Sequence, residues 1–258
     1  MTEHMSQPPV VNLFGVPICT WDAERLVNEL AGNLARGQFT HLAFANAATL
    51  VAIRDDPALR QAFLGADVIG ADGMSIVWAC RLLGRAVPER VSGIDLIPLL
   101  TARAAREGRP IYLLGATAEV VAAAADRLQA AVPQLIVAGH HHGYIWGDEQ
   151  EVVAGVKASG APIVLVGIGS PHRDRLLHRW KRELGATLVV EVGGSFDILA
   201  GRLRRCPRWL QRIGLEWLFR LAQEPRRLWR RYLTTNTRFL FLLGREWVRE
   251  RLSRGSPS

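Results

Sequence analysis

The chain has 258 residues, of which 49% are hydrophobic and 22% are charged, a composition that supports a large folded core and excludes a disordered chain. No stretch approaches about 18 consecutive apolar residues, and the first residues lack the basic and apolar regions of a signal peptide. We therefore expect neither a spanning helix nor secretion. The 3 widely spaced cysteines suit a reducing cytosol.

The positive charge is concentrated at the carboxyl-terminal end. Residues 201–258 contain 15 Arg, 4 Glu and neither Lys nor Asp, a net charge of +11, whereas the whole chain carries +8. The first 200 residues therefore carry a net charge of −3. A cationic end on a nearly neutral body predicts an anionic partner, and phospholipid, a diphosphate substrate and nucleic acid all qualify.

Short apolar runs alternate with helical stretches from about residue 38 onward, which predicts a parallel sheet built from β–α units. The predicted strands are Leu42–Ala45, Asp67–Gly70, Ile111–Leu114, Leu135–Ala138, Ile163–Val166 and Leu188–Val192. The predicted helices between them include Ile94–Arg106, Ala118–Ala131 and Arg173–Leu184. Several strands end at glycines. Because ligands bind at the carboxyl ends of strands in open α/β sheets, these turns are predicted to outline the site.

The pattern changes after residue 200. Two helices are predicted, Trp209–Ala222 and Glu224–Leu243, interrupted at Pro225, and residues 253–258 are predicted to be disordered. Four of the 8 tryptophans lie in this segment, and apolar residues of the first helix form a stripe with arginines beside it. This composition is typical of an interfacial, non-spanning membrane anchor. The alternative is a helical pair that packs the stripe on the body and leaves the arginines solvated.

Asp72 is the first candidate for chemistry. It lies in a turn just after the predicted strand Asp67–Gly70, where a carboxylate points into the crevice and could accept a proton from a hydroxyl group. A positioned general base accelerates a reaction about 10²–10⁴-fold. The alternative is a turn residue that caps the following helix.

Other polar residues near strand ends have both a structural and a functional interpretation. Asn46 could cap a helix, and Ser92 could cap another helix whose first turn contains Asp95. His140, His141 and His142 suggest a metal site, but successive residues cannot all face one ion. We favour a strand-end loop for these histidines.

Two glycine-rich turns are candidates for ligand binding. The turn Gly167–Pro171 lacks the third glycine of a dinucleotide fingerprint, because His172 occupies that position, yet a strand, a turn and a helix start still form an anion cradle. The turn at Gly193 and Gly194 allows close backbone approach to a ligand. The chain contains no Asp-x-Asp pair to hold a metal ion on a diphosphate. A leaving diphosphate would therefore need cationic side chains, for which arginine is well suited.

Four blocks of sequence resemble the WecB/TagA/CpsF family, also called glycosyltransferase family twenty-six. They are FANAATLVAIRDDPALRQAFLGADVIGADGMSIV, RVSGIDLI, YLLGATAEV…GHHHGYI and VGIGSPHRDR…VVEVGGSFDILAGRLRRCPRW…LEWLFRLAQEPRRLWRRY. The last block is the most specific, because GGSFD, CPRW and LEWLFR-EPRR occur in order at the spacing of the family. The resemblance covers roughly residues 11–243.

The resemblance implies a Rossmann-like, mostly parallel α/β catalytic domain over residues 1–200 and a basic, membrane-associating helical appendage over residues 201–258. It implies that Asp72 is the general base and that Asn46 contacts a sugar. The remaining implied substrate-binding residues are Arg90, Ser92, Asp95, Gly169, Arg173, Gly193, Gly194, Asp197, Arg220, Arg227 and Arg230. Phe44 stands where the family has threonine, and Arg173 stands where it has glutamine.

The resemblance also implies the reaction: inverting, metal-independent transfer of a hexose or N-acetylhexosamine from a UDP-sugar to a polyprenyl-diphosphate-linked saccharide, for exopolysaccharide or another surface polysaccharide. No cofactor is expected, and the enzyme would lie at the cytoplasmic face of the membrane. An NAD-linked oxidoreductase and a non-catalytic module that binds membrane or nucleic acid are the alternatives. The tryptophan stripe argues against nucleic acid as a partner. A homo-oligomer stays open, because the stripe could meet a second copy.

Overall fold

The computed structural model describes residues 8–254, with side chains as far as residue 252. An amino-terminal hairpin consists of β1 (Val10–Leu13) and β2 (Val16–Cys19). The other strands are β3 (Thr40–Ala45), β4 (Val68–Ala71), β5 (Ile111–Gly115), β6 (Val137–His141), β7 (Ile163–Gly167) and β8 (Leu188–Glu191). These six pair in parallel in the order β4-β3-β8-β7-β5-β6, which confirms the predicted parallel α/β sheet.

Helices cover both faces of the sheet. Those of the body are α1 (Ala23–Ala35), α2 (Ala47–Asp55), α3 (Pro57–Leu64), α4 (Met74–Leu82), α5 (Gly93–Arg106), α6 (Ala118–Ala131), α7 (Glu149–Ala158), α8 (His172–Trp180) and α9 (Ser195–Leu199). The appendage, residues 201–254 of the described chain, contains α10 (Arg208–Arg212), α11 (Glu216–Gln223) and α12 (Pro225–Arg254). Local sequence explains several helix starts, since Asp22, Asp56 and Thr117 each accept a backbone N–H in the first turn.

The two faces of the sheet are covered differently. On one face, α1, α5, α6 and α9 share a single apolar core with alternate residues of the strands. On the other face there are two cores. One lies over β3 and β4 beneath the hairpin and α2 to α4, and the other lies over β5 and β7 beneath α7 and α8. The boundary between these two cores, called the seam below, runs along the neighbouring strands β3 and β8.

The appendage differs from its predicted helices in two ways. The first predicted helix is broken between α10 and α11, because Gly214 has a φ of +70° and the Trp78 ring lies 2.2 Å from where its Cβ would be. Pro225 begins α12 rather than interrupting a helix, as proline does where the missing N–H would be unpaired anyway. Helix α12 continues beyond Leu243 to Arg254, whereas residues 255–258 of the predicted disordered end lie outside the described residues.

Helix α12 packs along α2, and its Phe239 is buried in the core over β3 and β4. Near the end of the helix, Arg85 of the body forms ion pairs with Glu246 and Glu250. The long helix is therefore fixed to the body at two points along its length. No helix within the described residues is long and apolar enough to cross a membrane.

The remaining boundary differences are small. Strand β6 begins and ends later than predicted, and a bulge after the first pair, Ile111 and Val137, brings Gly139 opposite Tyr112 on β5. Helix α8 ends at Trp180, four residues earlier than predicted. The hairpin β1–β2 was not predicted.

Candidate active site

A cleft of about 610 Å³ opens at the carboxyl ends of β3, β4, β7 and β8. The body supplies one wall, whose predicted members are Asn46, Asp72, Ser92, Gly169, Arg173, Gly193 and Gly194. The appendage supplies the opposite wall from α11 and α12, with Glu216, Arg220, Glu224, Arg227, Leu228, Arg231 and Thr235. The fold thus brings together glycine turns, a carboxylate and arginines that are up to 159 positions apart in sequence, from Asp72 to Arg231.

Asp72 lines the cleft directly after β4. Its backbone N–H donates to the Ala45 carbonyl at 2.8 Å, which fixes the turn against the neighbouring strand. The carboxylate does not cap α4, because Gly73 holds the N-cap position with a φ of +95° and no side-chain hydrogen bond caps that helix. Asp72 therefore does not have the capping role, and it lines the cleft instead.

The surroundings of Asp72 suit a group that exchanges protons near neutrality. Burial raises the pKa of its carboxyl group from 3.8 to about 6. The guanidinium groups of Arg90 and Arg220 lower this pKa, and the carboxylates of Glu216 and Asp95 raise it. A base with a pKa near the working pH is efficient in general-base catalysis.

The position of Asn46 fits both of its interpretations, as a helix cap and as a residue of the cleft. Its Oδ1 caps α2 by accepting from the Thr49 backbone N–H at 3.0 Å, and the residue also lines the cleft. Because the cap uses only the oxygen, the Nδ2 group is left to donate to a ligand. Phe44, at the end of β3, lines the cleft beside it and packs on Gly70, where a Cβ would lie 3.0 Å from the ring.

Arg90 joins the body to the appendage. Its guanidinium donates to Ser92 at 3.2 Å and Asp95 at 2.6 Å on the body side, and to Gln211 at 2.8 Å and Glu216 at 2.9 Å on the appendage side. Of these predicted residues, Ser92 lines the cleft, whereas Arg90 and Asp95 lie behind it. The structure places Arg90 and Asp95 where they hold the two walls together.

The turn after β8 lies close to the arginines of the appendage. Gly193 has a φ of +52°, a conformation that favours glycine. A Cβ on Gly194 would lie 3.0 Å from Nη2 of Arg220, so the missing side chain leaves room for that guanidinium. Asp197 lies in the first turn of α9, where its backbone carbonyl accepts from the N–H groups of residues 202 and 203, and it does not line the cleft.

The three predicted appendage arginines are not equivalent. Arg220 and Arg227 line the cleft, and Arg227 also pairs with Glu224 at 2.5 Å. Arg230 is exposed and lies 5.1 Å from the centroid of the Trp229 ring, away from the cleft lining. Arg231 lines the cleft and was not predicted. Its position four residues after Arg227 on one helix face is the signal that could have identified it.

Arg173 lines the cleft from the first turn of α8, and its side chain is only 9% exposed. It lies beside two carboxylates that sequence reasoning missed, Asp174 and Glu191. Burial lowers the pKa of the Arg173 guanidinium, but the carboxylates outweigh this effect and raise the pKa above its usual range. Glu191 could have been noticed as a charged residue at the end of an otherwise apolar strand.

The histidine run lies at a strand end, as favoured. His140 and His141 are the last residues of β6, and the rings of His141 and His142 are 4.3 Å apart. Among the described residues, no three histidine, cysteine, aspartate or glutamate side chains are grouped so that they could hold a metal ion.

A comparison with protein families covers the sequence of both walls of this cleft. The model of the glycosyl transferase WecG/TagA/CpsF family matches residues 11–253 of the 258, which include both walls. This family points to sugar transfer in cell-surface polysaccharide synthesis, in general from a nucleotide-sugar donor to a lipid-linked acceptor. The chain belongs to the WecG/TagA/CpsF family of glycosyl transferases.

Proposed function

We propose that this glycosyl transferase moves a hexose or N-acetylhexosamine from a UDP-sugar to a polyprenyl-diphosphate-linked saccharide, with inversion at the anomeric carbon. The observation that carries the proposal is the position of Asp72 in a cleft whose opposite wall presents Arg220, Arg227 and Arg231. A base and a cationic wall are the two elements that a displacement at a sugar diphosphate requires. The product would be used for exopolysaccharide or another surface polysaccharide.

Asp72 is the proposed catalytic base. Its carboxylate accepts the proton of an acceptor hydroxyl as that oxygen attacks the anomeric carbon of the donor. The bond between the anomeric carbon and the diphosphate oxygen breaks, and its electron pair leaves with UDP. A single in-line displacement inverts the configuration at that carbon.

The appendage arginines are proposed to stabilise the leaving UDP. Negative charge develops on the diphosphate as the bond breaks, and planar guanidinium groups match phosphate oxygens geometrically. Arg220 lies next to Gly194, and Arg227 lines the same cleft, where a nucleotide diphosphate could approach the backbone of the glycine turn. With these cations in place, the reaction needs no metal ion and no other cofactor.

The appendage is also proposed to attach the enzyme to the cytoplasmic face of the membrane. Trp209, Ile213, Trp217 and Leu218 are 64%, 51%, 41% and 45% exposed, beside the exposed Arg208 and Arg212. Exposed tryptophan next to arginine favours an interfacial position, and each cation near an anionic leaflet contributes about 1 kcal/mol. Peripheral attachment would bring the cleft to a lipid-linked acceptor.

A donor screen tests this function. The full chain is incubated with a panel of UDP-sugars and a short-chain polyprenyl-diphosphate saccharide, and products are analysed by mass spectrometry. We expect a mass gain of one sugar, release of UDP, unchanged turnover with EDTA, and an inverted anomeric configuration by NMR. A thermal-shift titration of UDP against NADH decides between this function and the oxidoreductase alternative. Stabilisation by NADH but not by UDP, or transfer with retained configuration, would contradict the proposal.

A further inference from the structure

A buried polar cluster occupies the seam between the two apolar cores on one face of the sheet. It consists of His41 of β3, Arg173 and Asp174 of α8, and Glu191 of β8, and each of these residues as a whole is at most 8% exposed. Neighbouring strand residues point into apolar cores, so these four side chains interrupt an otherwise continuous apolar layer. Burying charge is costly unless the charges are paired.

Each member of the cluster contacts the next. Nη2 of Arg173 donates to Oδ1 of Asp174 at 3.0 Å, and its Nε lies 3.0 Å from Oε2 of Glu191, outside hydrogen-bond alignment. The other oxygen of Glu191 lies 3.1 Å from Nε2 of His41. Among the described residues, Nδ1 of His41 and Oδ2 of Asp174 have no hydrogen-bond partner. Two carboxylates therefore contact the guanidinium while Arg173 lines the cleft.

The charges in the cluster cancel or leave a negative excess. Arg173 contributes one positive charge, and Asp174 and Glu191 contribute two negative charges. The sum is −1 with a neutral His41 imidazole and zero with a protonated one. The cluster therefore has no spare positive charge for an anion, although its guanidinium is rich in N–H donors. On the opposite wall, Arg220 and Arg231 have no carboxylate ion-pair partner among the described residues.

We propose that Arg173, held by Glu191, Asp174 and His41, selects a donor sugar through a neutral hydroxyl or acyl oxygen and rejects sugars that carry a carboxylate. This inference rests on the proposed function, because it assigns the sugar-binding part of the same cleft. Arg173 is the specificity-determining residue, and the other three are positioning residues. A uronate placed here would meet the negative excess of the cluster, whereas an uncharged oxygen would receive a directed hydrogen bond.

The test compares a neutral UDP-sugar with its C6-carboxylate counterpart, in the wild-type protein and in Glu191→Gln. The wild type should prefer the neutral donor. The substitution keeps the shape of the side chain and removes one negative charge, so we expect kcat/KM for the neutral donor to fall about tenfold as the guanidinium loses one of the two carboxylates that position it. The ratio of kcat/KM for the neutral donor to kcat/KM for the uronate should also fall, by about tenfold, since the positive charge of Arg173 is no longer cancelled. Glu183→Gln makes the same change at an exposed position and should alter neither value.

Several outcomes would overturn the inference. Equal losses for both donors would show that Glu191 is only structural, and a wild-type preference for the uronate would show that Arg173 binds an anion. If Glu191→Gln loses UDP binding while the wild type binds UDP, the cluster contacts the nucleotide rather than the sugar; this inference is then wrong and the proposed function stands. If the wild type fails to bind UDP, both the inference and the proposed function are wrong. If Glu191→Gln does not fold, Asp174→Asn removes the same charge on the other side of Arg173. If neither folds, the donor preference of the wild type decides.

Discussion

The two walls of the cleft both use arginine, in opposite ways. On the body wall, Arg173 is buried and surrounded by carboxylates. On the appendage wall, Arg220 is half-buried, and Arg227 and Arg231 are exposed on the helices that cover the cleft. A buried cation whose charge is cancelled acts through the direction of its N–H bonds. A surface cation acts through its field, which reaches further and weakens with salt.

This difference indicates a division of labour within one site. The body wall contains Asp72 and the polar cluster, groups that need fixed geometry. The appendage wall contains cations that can serve both a diphosphate and an anionic membrane surface. Arg90, which donates hydrogen bonds to Gln211 and Glu216 on the appendage side, holds the two walls together.

The largest effect is expected from Asp72→Asn on the body wall. Loss of the base should lower kcat by about 10²–10⁴-fold, because the amide cannot accept the acceptor proton. The protein should remain folded in a thermal melt. Asp126→Asn, an exposed change on α6, serves as the matched control. Near wild-type turnover by folded Asp72→Asn would remove Asp72 from the mechanism.

On the appendage wall, Arg227→Ala should lower kcat/KM for the donor by about 10²-fold, the size typical for loss of one group that stabilises a developing charge. The neighbouring exposed residue Arg226 does not line the cleft, so Arg226→Ala should have little effect on turnover. Initial rates at varied UDP-sugar concentration measure both variants. Equal rates for Arg226→Ala and Arg227→Ala would mean that the wall acts only as a diffuse basic surface.

The pH profile reports on the protonation of Asp72, on the body wall. Since the Asp72 pKa is raised to about 6, kcat/KM should fall about tenfold per pH unit below pH 6 as the base becomes protonated. The folded state holds this proton more tightly than the unfolded state, so the contribution of Asp72 to stability is present below pH 3.8 and lost as the pH rises through 6. The melting temperature of Asp72→Asn relative to wild type should therefore rise between pH 4 and pH 7. A flat difference would contradict this account of Asp72.

Membrane attachment tests the second use of the appendage. Replacing Trp209, Ile213 and Trp217 together by serine should reduce co-sedimentation with anionic liposomes about tenfold, because the exposed apolar contacts are lost. Turnover of a short, water-soluble acceptor should persist. Tyr144→Ser changes an exposed aromatic residue on the body and should leave sedimentation unchanged. A stronger shift with DNA than with liposomes would favour the nucleic-acid alternative.

The smallest effects are expected at two adjacent glycines of the cleft, Gly193 and Gly194, and they should differ in kind. Gly194→Ala would bring a methyl group 3.0 Å from Nη2 of Arg220, so we expect a loss of a few-fold in kcat/KM with little change in stability. Gly193→Ala meets open space but strains a φ of +52°, so it should cost about 1 kcal/mol of stability and leave the donor KM nearly unchanged. Thermal melts and donor kinetics on both variants check this contrast, which the reverse pattern would contradict.

Local patterns predicted much of the fold. Apolar runs with β–α spacing indicated the parallel sheet, because strands covered on both faces must be apolar throughout. The cap of α2 by Asn46 depends on neighbouring residues, and the sequence indicated it. The break at Gly214 and the register of β6 were not, because each depends on a ring, Trp78 or Tyr112, supplied by a distant part of the chain.

The sequence by itself determined the family, the α/β sheet, Asp72 at a strand end and the cationic carboxyl-terminal segment. Each of these depends on residues that are close together in the sequence. Tertiary structure alone decided that Arg220, Arg227 and Arg231 line the same cleft as Asp72 while Arg230 does not, and that Arg90 joins the walls. It alone brought His41 and Glu191, 150 positions apart, together beside Arg173. The physical reason is that strand order in the sheet, rather than order in the chain, sets which side chains share a seam.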